Sequence, residues 1–227
     1  MGCHSSKKVA MITGASRGLG LALAREFSAN DYRLIVGCRT VWPNIDLPDC
    51  KVIEGELCSG ITLNRFELAV TEFGRLDVLV NNVGVYLNCS FGEINPSDIH
   101  YVFKVNLLTP ILLVRRFWSI FVEQKHGFIL NIGSLAASSG GPGESIYSAA
   151  KAGLVSFGDV LQFDAVKYGI NVVTVNLGAM KTDMTKGRCD WDLLMDTDEV
   201  AKLLFKLCDD YRTLRVSSVD VKRRLYK

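Results

Sequence analysis

Residues 9–13, Val-Ala-Met-Ile-Thr, run directly into Gly14-Ala15-Ser16-Arg17-Gly18-Leu19-Gly20. A short apolar run bounded by a glycine cluster reads as a strand buried on both faces. Leu19, Ala22, Leu23 and Phe27 then recur at helical spacing, so 19–28 reads as a helix. A buried strand that turns through glycines into a helix is the opening of a βαβ unit, and few architectures accommodate it.

The rest of the chain keeps that alternation. Further strands are expected at 34–37, 52–53, 76–80, 128–132 and 171–177, with an alternating terminal strand at 215–221. Helices are expected over 61–73 (apolar 63, 66 and 70), 95–125, 145–167 and 198–208. In the last of these Thr197 is the expected N-cap, and Val200 and Leu203 are expected to turn inward. Pro43 and Pro48 argue against a full helix between the second and third strands. This pattern predicts an α/β chain with a single Rossmann-fold domain over 1–227. Its core is a doubly wound parallel sheet of about seven strands with helices on both faces. Residues 1–7 are expected to be a flexible leader and the irregular stretch 178–197 a substrate lid.

A length of 227 residues suits one such domain, and 48% hydrophobic with 22% charged residues marks a soluble globular chain. A net charge of +2 with dispersed basic residues gives no basis for nucleic-acid binding, and Lys222-Arg223-Arg224 reads as a solvated edge. Seven cysteines without a CxxC pair or a secretory signal read as reduced thiols of a cytoplasmic protein. His4, His100 and His126 lack metal-ligand spacing, so no metal is expected. The apolar run 107–114 contains Pro110, ends at Arg115-Arg116 and is too short to span a bilayer. Met1-Gly2-Cys3-His4-Ser5-Ser6, with Lys7-Lys8 behind it, matches an acylation pattern. It is read as a leader in preference to a lipid anchor through Gly2 and Cys3.

Chemistry enters with Tyr147 and Lys151, four residues apart on one helix face. An ammonium near a phenol stabilises the phenolate and lowers its pKa toward working pH, giving a proton donor and acceptor for carbonyl and alcohol chemistry. A Tyr-x-x-x-Lys pair alone is usually surface decoration, so its meaning depends on a cofactor. The glycine turn supplies the place for one: glycines let backbone approach a pyrophosphate seated on the positive helix N-terminus. The spacing is G-x-x-x-G-x-G rather than G-x-G-x-x-G. The second strand exits as Gly37-Cys38-Arg39 without a carboxylate, and Arg17 lies in the turn. Two arginines with no competing acid favour the 2′-phosphate of NADP(H), with NAD(H) still allowed.

In this order the motifs resemble the short-chain dehydrogenase/reductase family over nearly the whole chain. Thr13 to Gly20 fits T-G-x-x-x-G-x-G. Asn81-Asn82-Val83-Gly84 fits N-N-A-G with Val for Ala. Asn106 and Ser134 fall where that family has its helix asparagine and its serine after the fifth strand. Tyr147 and Lys151 fit Y-x-x-x-K, and 176–182 fits N-P-G-x-x-x-T with Leu177 for Pro. The resemblance implies a tetrad. Tyr147 exchanges the proton with the substrate oxygen, and Ser134 holds that oxygen. Lys151 lowers the Tyr147 pKa and binds the nicotinamide ribose, and Asn106 holds a relay water. It also implies cofactor contacts. Gly14, Ser16, Arg17, Gly18, Leu19 and Gly20 lie in the pyrophosphate turn, and Asn82 and Gly84 line the adenosine-ribose side. Gly178 and Thr182 lie beside the nicotinamide, and Glu56 stands where the family has an adenine-contacting Asp.

Some departures are visible. Leu177 removes a fixed φ beside the nicotinamide. The helix after the second strand is nearly lost, and the lid and C-terminus are brief. Tyr86, Leu135, Pro142, Leu177, Met180, Met184 and Trp191 are expected to line a pocket for an apolar or mixed carbonyl compound. The resemblance further suggests a homodimer or homotetramer through the helices around Asn106 and Tyr147, with which Phe117, Trp118, Phe121, Phe157 and Phe163 are compatible. Those five fit ordinary burial equally well. The function expected is NADPH-dependent carbonyl reduction. A non-catalytic NADP(H)-binding protein acting through its surface is the alternative, and the complete tetrad argues against it.

Overall fold

The computed structural model describes residues 7–40, 46–208 and 216–224. Met1 to Ser6, Pro43 and Arg215 lie outside the described residues. Seven strands form one parallel sheet: β1 (Val9–Thr13), β2 (Arg33–Cys38), β3 (Cys50–Glu54), β4 (Val78–Asn81), β5 (Gly127–Ser134), β6 (Ile170–Leu177) and β7 (Ser218–Val221). Their order is β3-β2-β1-β4-β5-β6-β7. The chain starts at the centre, winds out to β3, then returns to the other side of β1. The strand order therefore reverses between β1 and β4, which is where open α/β sheets place their ligands.

Strand periodicity assigns the two faces. Ala10, Ile12, Leu34 and Val36 pack with α1 (Gly18–Ala29) and, through Leu204, α7 (Thr197–Leu207). Val9, Met11, Ile35 and Leu79 pack with α2 (Gly60–Phe73), α4 (Thr109–Gln124) and the end of α6 (Ser145–Ala165), through Phe66, Phe117, Phe121 and Ala165. The described residues between β2 and β3, 39–40 and 46–49, form no helix.

Two expectations change in α7. Asp196, not Thr197, is the N-cap: its carboxylate accepts from Asp198 N at 2.9 Å and Glu199 N at 3.1 Å. An ionised oxygen is the stronger partner for first-turn N–H groups. Leu204, one turn after Val200, is buried with it, while Leu203 is exposed.

The long helix expected over 95–125 is interrupted. It consists of α3 (Pro96–Phe103), a π-helical turn at Lys104–Leu108, and α4. Pro110 has no N–H to give the Asn106 carbonyl, and its ring crowds that carbonyl, so the helix widens by a residue. Thr109 Oγ1 takes up the Lys104 carbonyl at 2.8 Å. The stretch Pro96–Gln124 is long and apolar enough by composition to cross a membrane. Val102, Leu113, Val114, Phe117 and Phe121 nevertheless spend its apolar face on the core. Phe117 and Phe121 are thus unavailable to a subunit interface; Trp118 and Phe157 pack against the same core, and Phe163 is exposed.

Helix α6 reaches the sheet through Gly158, where a Cβ would stand 2.3 Å from Thr174 Oγ1. Thr174 continues a polar row in register with Asn131 and Asn81, whose amides bond at 2.9 Å. At the opposite, amino edge of the sheet, Asp77 is 1% exposed. It accepts from Val9 N at 2.8 Å and from both Arg75 Nε and Nη2 at 2.8 and 2.6 Å. Replacing Asp77 by Ala leaves the Val9 N–H without its acceptor and a partly buried guanidinium without its anion. Urea unfolding of Asp77→Ala is expected to show a loss of about 3–5 kcal/mol.

Candidate active site

The carboxyl ends of β1, β2, β4, β5 and β6 open into a cleft of about 1250 Å³. One half is built for a dinucleotide. Gly14 (φ 68°) and Gly18 (φ 54°) take left-handed backbone that side chains disfavour. A Cβ on Gly20 would lie 2.2 Å from the Gly14 carbonyl oxygen, so only glycine permits this close turn. Helix α1 starts there with no side-chain cap and no acid in its first turn, leaving its positive end and first N–H groups for an anion. Thr13 and Asn82 hold the turn against β4. Thr13 Oγ1 accepts from Asn82 N at 3.0 Å and Val83 N at 3.1 Å, and Asn82 Nδ2 donates to the Thr13 carbonyl at 2.8 Å. The Asn82 amide is therefore spent on the turn, although Asn82 lines the cleft.

Ser16, Arg17 and Leu19 line this half as expected, with Arg39 and Glu56 farther along. Their partners differ from the sequence reading. Arg17 pairs with Asp183 at 2.9 Å, tying the turn to the segment after β6. Arg39 donates to the Tyr101 hydroxyl at 3.0 Å and, among the described residues, forms no ion pair within 4 Å. Glu56 accepts from Lys104 Nζ at 2.6 Å, and that bond holds its carboxyl below the usual range. The open cradle and uncapped helix fit a nucleotide pyrophosphate, and Arg39, outside these ion pairs, suits a further phosphate.

The other half holds the reactive side chains. Tyr147, Lys151 and Ser134 line the cleft together. Burial pushes the Tyr147 phenol above its usual value; the Ser134 hydroxyl opposes that, and the Glu144 charge adds to it. The expected lowering by Lys151 is not realised in this arrangement. Lys151 is 3% exposed, and its ammonium donates to the Ile132 carbonyl at 2.7 Å, 5.9 Å from the centre of the Tyr147 ring. Desolvation holds Lys151 down to about 8. Asn106 is fully buried behind the cleft instead of lining it. Its amide bonds the Val85 carbonyl at 2.9 Å and the Val102 carbonyl at 3.0 Å, and its oxygen accepts from Val85 N at 3.3 Å. Gly84 keeps it close to Lys151: a Cβ there would lie 3.1 Å from Asn106 Oδ1 and 3.7 Å from Lys151 Nζ.

Gly178 and Thr182 line the cleft beyond β6, with Tyr86, Leu135, Leu177, Met180 and Met184. Pro142 and Trp191 do not. The Pro142 carbonyl accepts from Asn88, and Trp191 lies in a 3-10 turn (Trp191–Leu193) whose first N–H bonds the Arg188 carbonyl. Arg188, Lys222 and Arg223 line the cleft and were missed. Nothing in their local sequence separates them from solvated cations; the β6–β7 pairing carries 222–223 to the cleft edge. Among the described residues no His/Cys/Asp/Glu group has metal-ligand geometry.

A doubly wound parallel sheet with a glycine turn at its switch point and a Tyr-Lys helix beside it defines a dinucleotide-binding oxidoreductase. A short chain dehydrogenase family model matches residues 61–193. A 3-oxoacyl-[acyl-carrier-protein] reductase of Buchnera aphidicola is 34% identical over 193 residues, covering 80% of this chain and 77% of that protein. Carbonyl reductase family member 4 of Xenopus tropicalis is 30% identical over 94% of this chain and 96% of its own length. The crystal structure of a Brucella melitensis 3-ketoacyl-(acyl-carrier-protein) reductase complexed with NADH superposes with a TM-score of 0.87. It is 24% identical and covers 96% of this chain and 98% of its own. The chain belongs to the short-chain dehydrogenase/reductase family, and it is an NAD(P)-dependent oxidoreductase of carbonyl compounds and alcohols.

Burying Lys151 has a stability cost with a defined pH window. Its folded value of about 8 lies below its ordinary 10.5, so folding disfavours the charged form. The cost is complete below pH 8 and fades as pH rises through 10.5. Lys151→Met is expected to be about 1–3 kcal/mol more stable than the parent at pH 7, with a smaller gain at pH 10, in urea unfolding.

Proposed function

We propose that the chain reduces an apolar or mixed carbonyl compound with NADPH, Tyr147 acting as general acid. The observation that carries this reading is the common cleft that Tyr147, Ser134 and Lys151 line together with the glycine cradle. A phenol and a hydroxyl lining the same cleft supply two donors for one carbonyl oxygen. A phenol pushed up by burial is protonated at neutral pH, the state that reduction requires. The cofactor, when bound, supplies the hydride. Lys151, desolvated beside the floor, would hold the nicotinamide ribose hydroxyls. Asn106 keeps its side chain for Val85 and Val102, but Pro110 deprives its main-chain carbonyl of the helical N–H donor. That carbonyl is the group by which Asn106 would hold a relay water near Lys151.

NADPH is preferred over NADH on the ground that Arg39 has spare donors and, among the described residues, no ion pair. Arg17, paired with Asp183, is the weaker contributor. Residues 178–197 would act as the lid, linked to the glycine turn by that ion pair. Exposed Leu108, Leu112 and Val160 on neighbouring helices support a homodimer or homotetramer. A monomer by light scattering at micromolar concentration would remove that part of the reading.

Tyr147→Phe is expected to slow NADPH oxidation by about 10²–10⁴-fold while cofactor binding persists, measured by turnover and NADPH fluorescence. Unchanged turnover would sink the acid role and revive a non-catalytic one. Arg39→Asp is expected to lower the NADPH-to-NADH ratio of kcat/KM by about 10–100-fold.

A further inference from the structure

The substrate end of the cleft is not uniformly apolar. Past Tyr86, Leu135, Met180 and Met184, its wall is made by Arg188, Lys222 and Arg223. These cations come from two segments: the loop after β6, and the residues just beyond β7. Parallel pairing of β6 with β7, and the Gly178 N bond to the Val221 carbonyl at 2.9 Å, bring the segments together at the carboxyl edge.

The carboxylates nearby do not neutralise them. Asp190, one-fifth exposed, accepts from Arg188 Nε at 2.8 Å and Nη2 at 3.1 Å, and from Arg223 Nη1 at 2.6 Å. One carboxylate thus serves two guanidiniums and fixes their planes. Asp220 lies 3.9 Å from Lys222 Nζ and is also bonded by Asn176 Nδ2 at 3.1 Å. Around Asp190 two guanidiniums share a single carboxylate, which leaves a positive charge in excess there, and among the described hydrogen bonds Arg223 uses only Nη1. Glu144, which also lines the cleft, accepts from the Tyr86 hydroxyl at 2.6 Å and Gly141 N at 2.7 Å. Arg188 and Tyr86 line the same cleft, and Tyr86 packs edge-on against Tyr147 with ring centres 5.1 Å apart.

Resting on the carbonyl-reductase reading, we infer that the substrate carries an anionic group, a carboxylate or phosphate, separated from its carbonyl by an apolar spacer. Met180, Met184 and Leu135 would take the spacer, and Arg223 with Arg188 and Lys222 would take the anion. A guanidinium held flat by Asp190 presents its remaining donors in the fork that suits a carboxylate or phosphate. A neutral carbonyl compound of the same shape would leave that surplus charge facing the pocket unanswered.

The test uses the full chain loaded with NADPH. Methyl-ketone carboxylic acids of increasing chain length are compared with their methyl esters by NADPH oxidation and by the melting temperature of the loaded protein. The expected result is a kcat/KM for the acid at least about 10-fold above its ester at one or more lengths. The gap should arise in KM and narrow with added salt. Arg223→Met and Arg188→Met should each move the acid-to-ester ratio toward one. The parent ratio and melting shift decide the matter even where a variant folds poorly. An acid that raises the melting temperature more than its ester, without turnover, supports the anion site and sinks the reductase reading. Esters equal to acids in turnover and melting overturn the anion site while the reductase reading stands. No response to either compound overturns both.

Discussion

The junction of β1 with β4 governs the rest of the molecule. Thr13 Oγ1 donates to the Val80 carbonyl at 3.2 Å and accepts two N–H groups from the chain leaving β4. Asn82 returns its amide to the Thr13 and Gly14 carbonyls at 2.8 and 3.2 Å. Here the two halves of the sheet diverge, one chain turning into α1 and the other running toward Tyr86. Backbone polar groups at such a divergence lose their ladder partners and must be satisfied in another way. Two side chains do this and in doing so fix the glycine turn, whose close approach leaves no space for a Cβ at Gly20. The open end of α1 follows from that turn, and with it the place for a pyrophosphate.

The second constraint is the buried Lys151. A partly satisfied ammonium in the core is unfavourable for stability, since one carbonyl at 2.7 Å is its only close oxygen in the described hydrogen bonds. It stays there because α6 is drawn onto the sheet by Gly158, and Gly84 lets the β4 exit pass beside it. The same burial raises the Tyr147 phenol. The two members of the motif therefore start with proton affinities moved apart, Lys151 downward and Tyr147 upward. That differs from a simple ammonium acting on a phenol, and it follows from both groups losing water.

Much of the fold was legible because its signals are local. Buried parallel strands are continuous apolar runs, so β1, β2, β5 and β6 appear in the sequence within a few residues of their ends. Local chemistry with two competing outcomes was less legible. Asp196 displaced Thr197 as cap by one position, and the apolar stripe of α7 moved from Leu203 to Leu204. The helix over 95–125 has the right apolar periodicity on both sides of Pro110, and periodicity alone does not reveal a one-residue π-turn.

The sequence by itself determined the α/β alternation, the glycine turn and the residues Ser134, Tyr147 and Lys151, because each is tied to a strand end or a helix face by short-range spacing. Tertiary structure decided what those residues touch. It turned Asn106 away from the cleft, gave Arg17 to Asp183, and left Arg39 with a phenol for a partner. It also brought Arg188 and Arg223, 35 positions apart in the numbering, onto one carboxylate at the substrate end. Partners so distant in sequence carry no periodicity. Only the pairing of β7 on β6 and the course of the loop between them put those charges together.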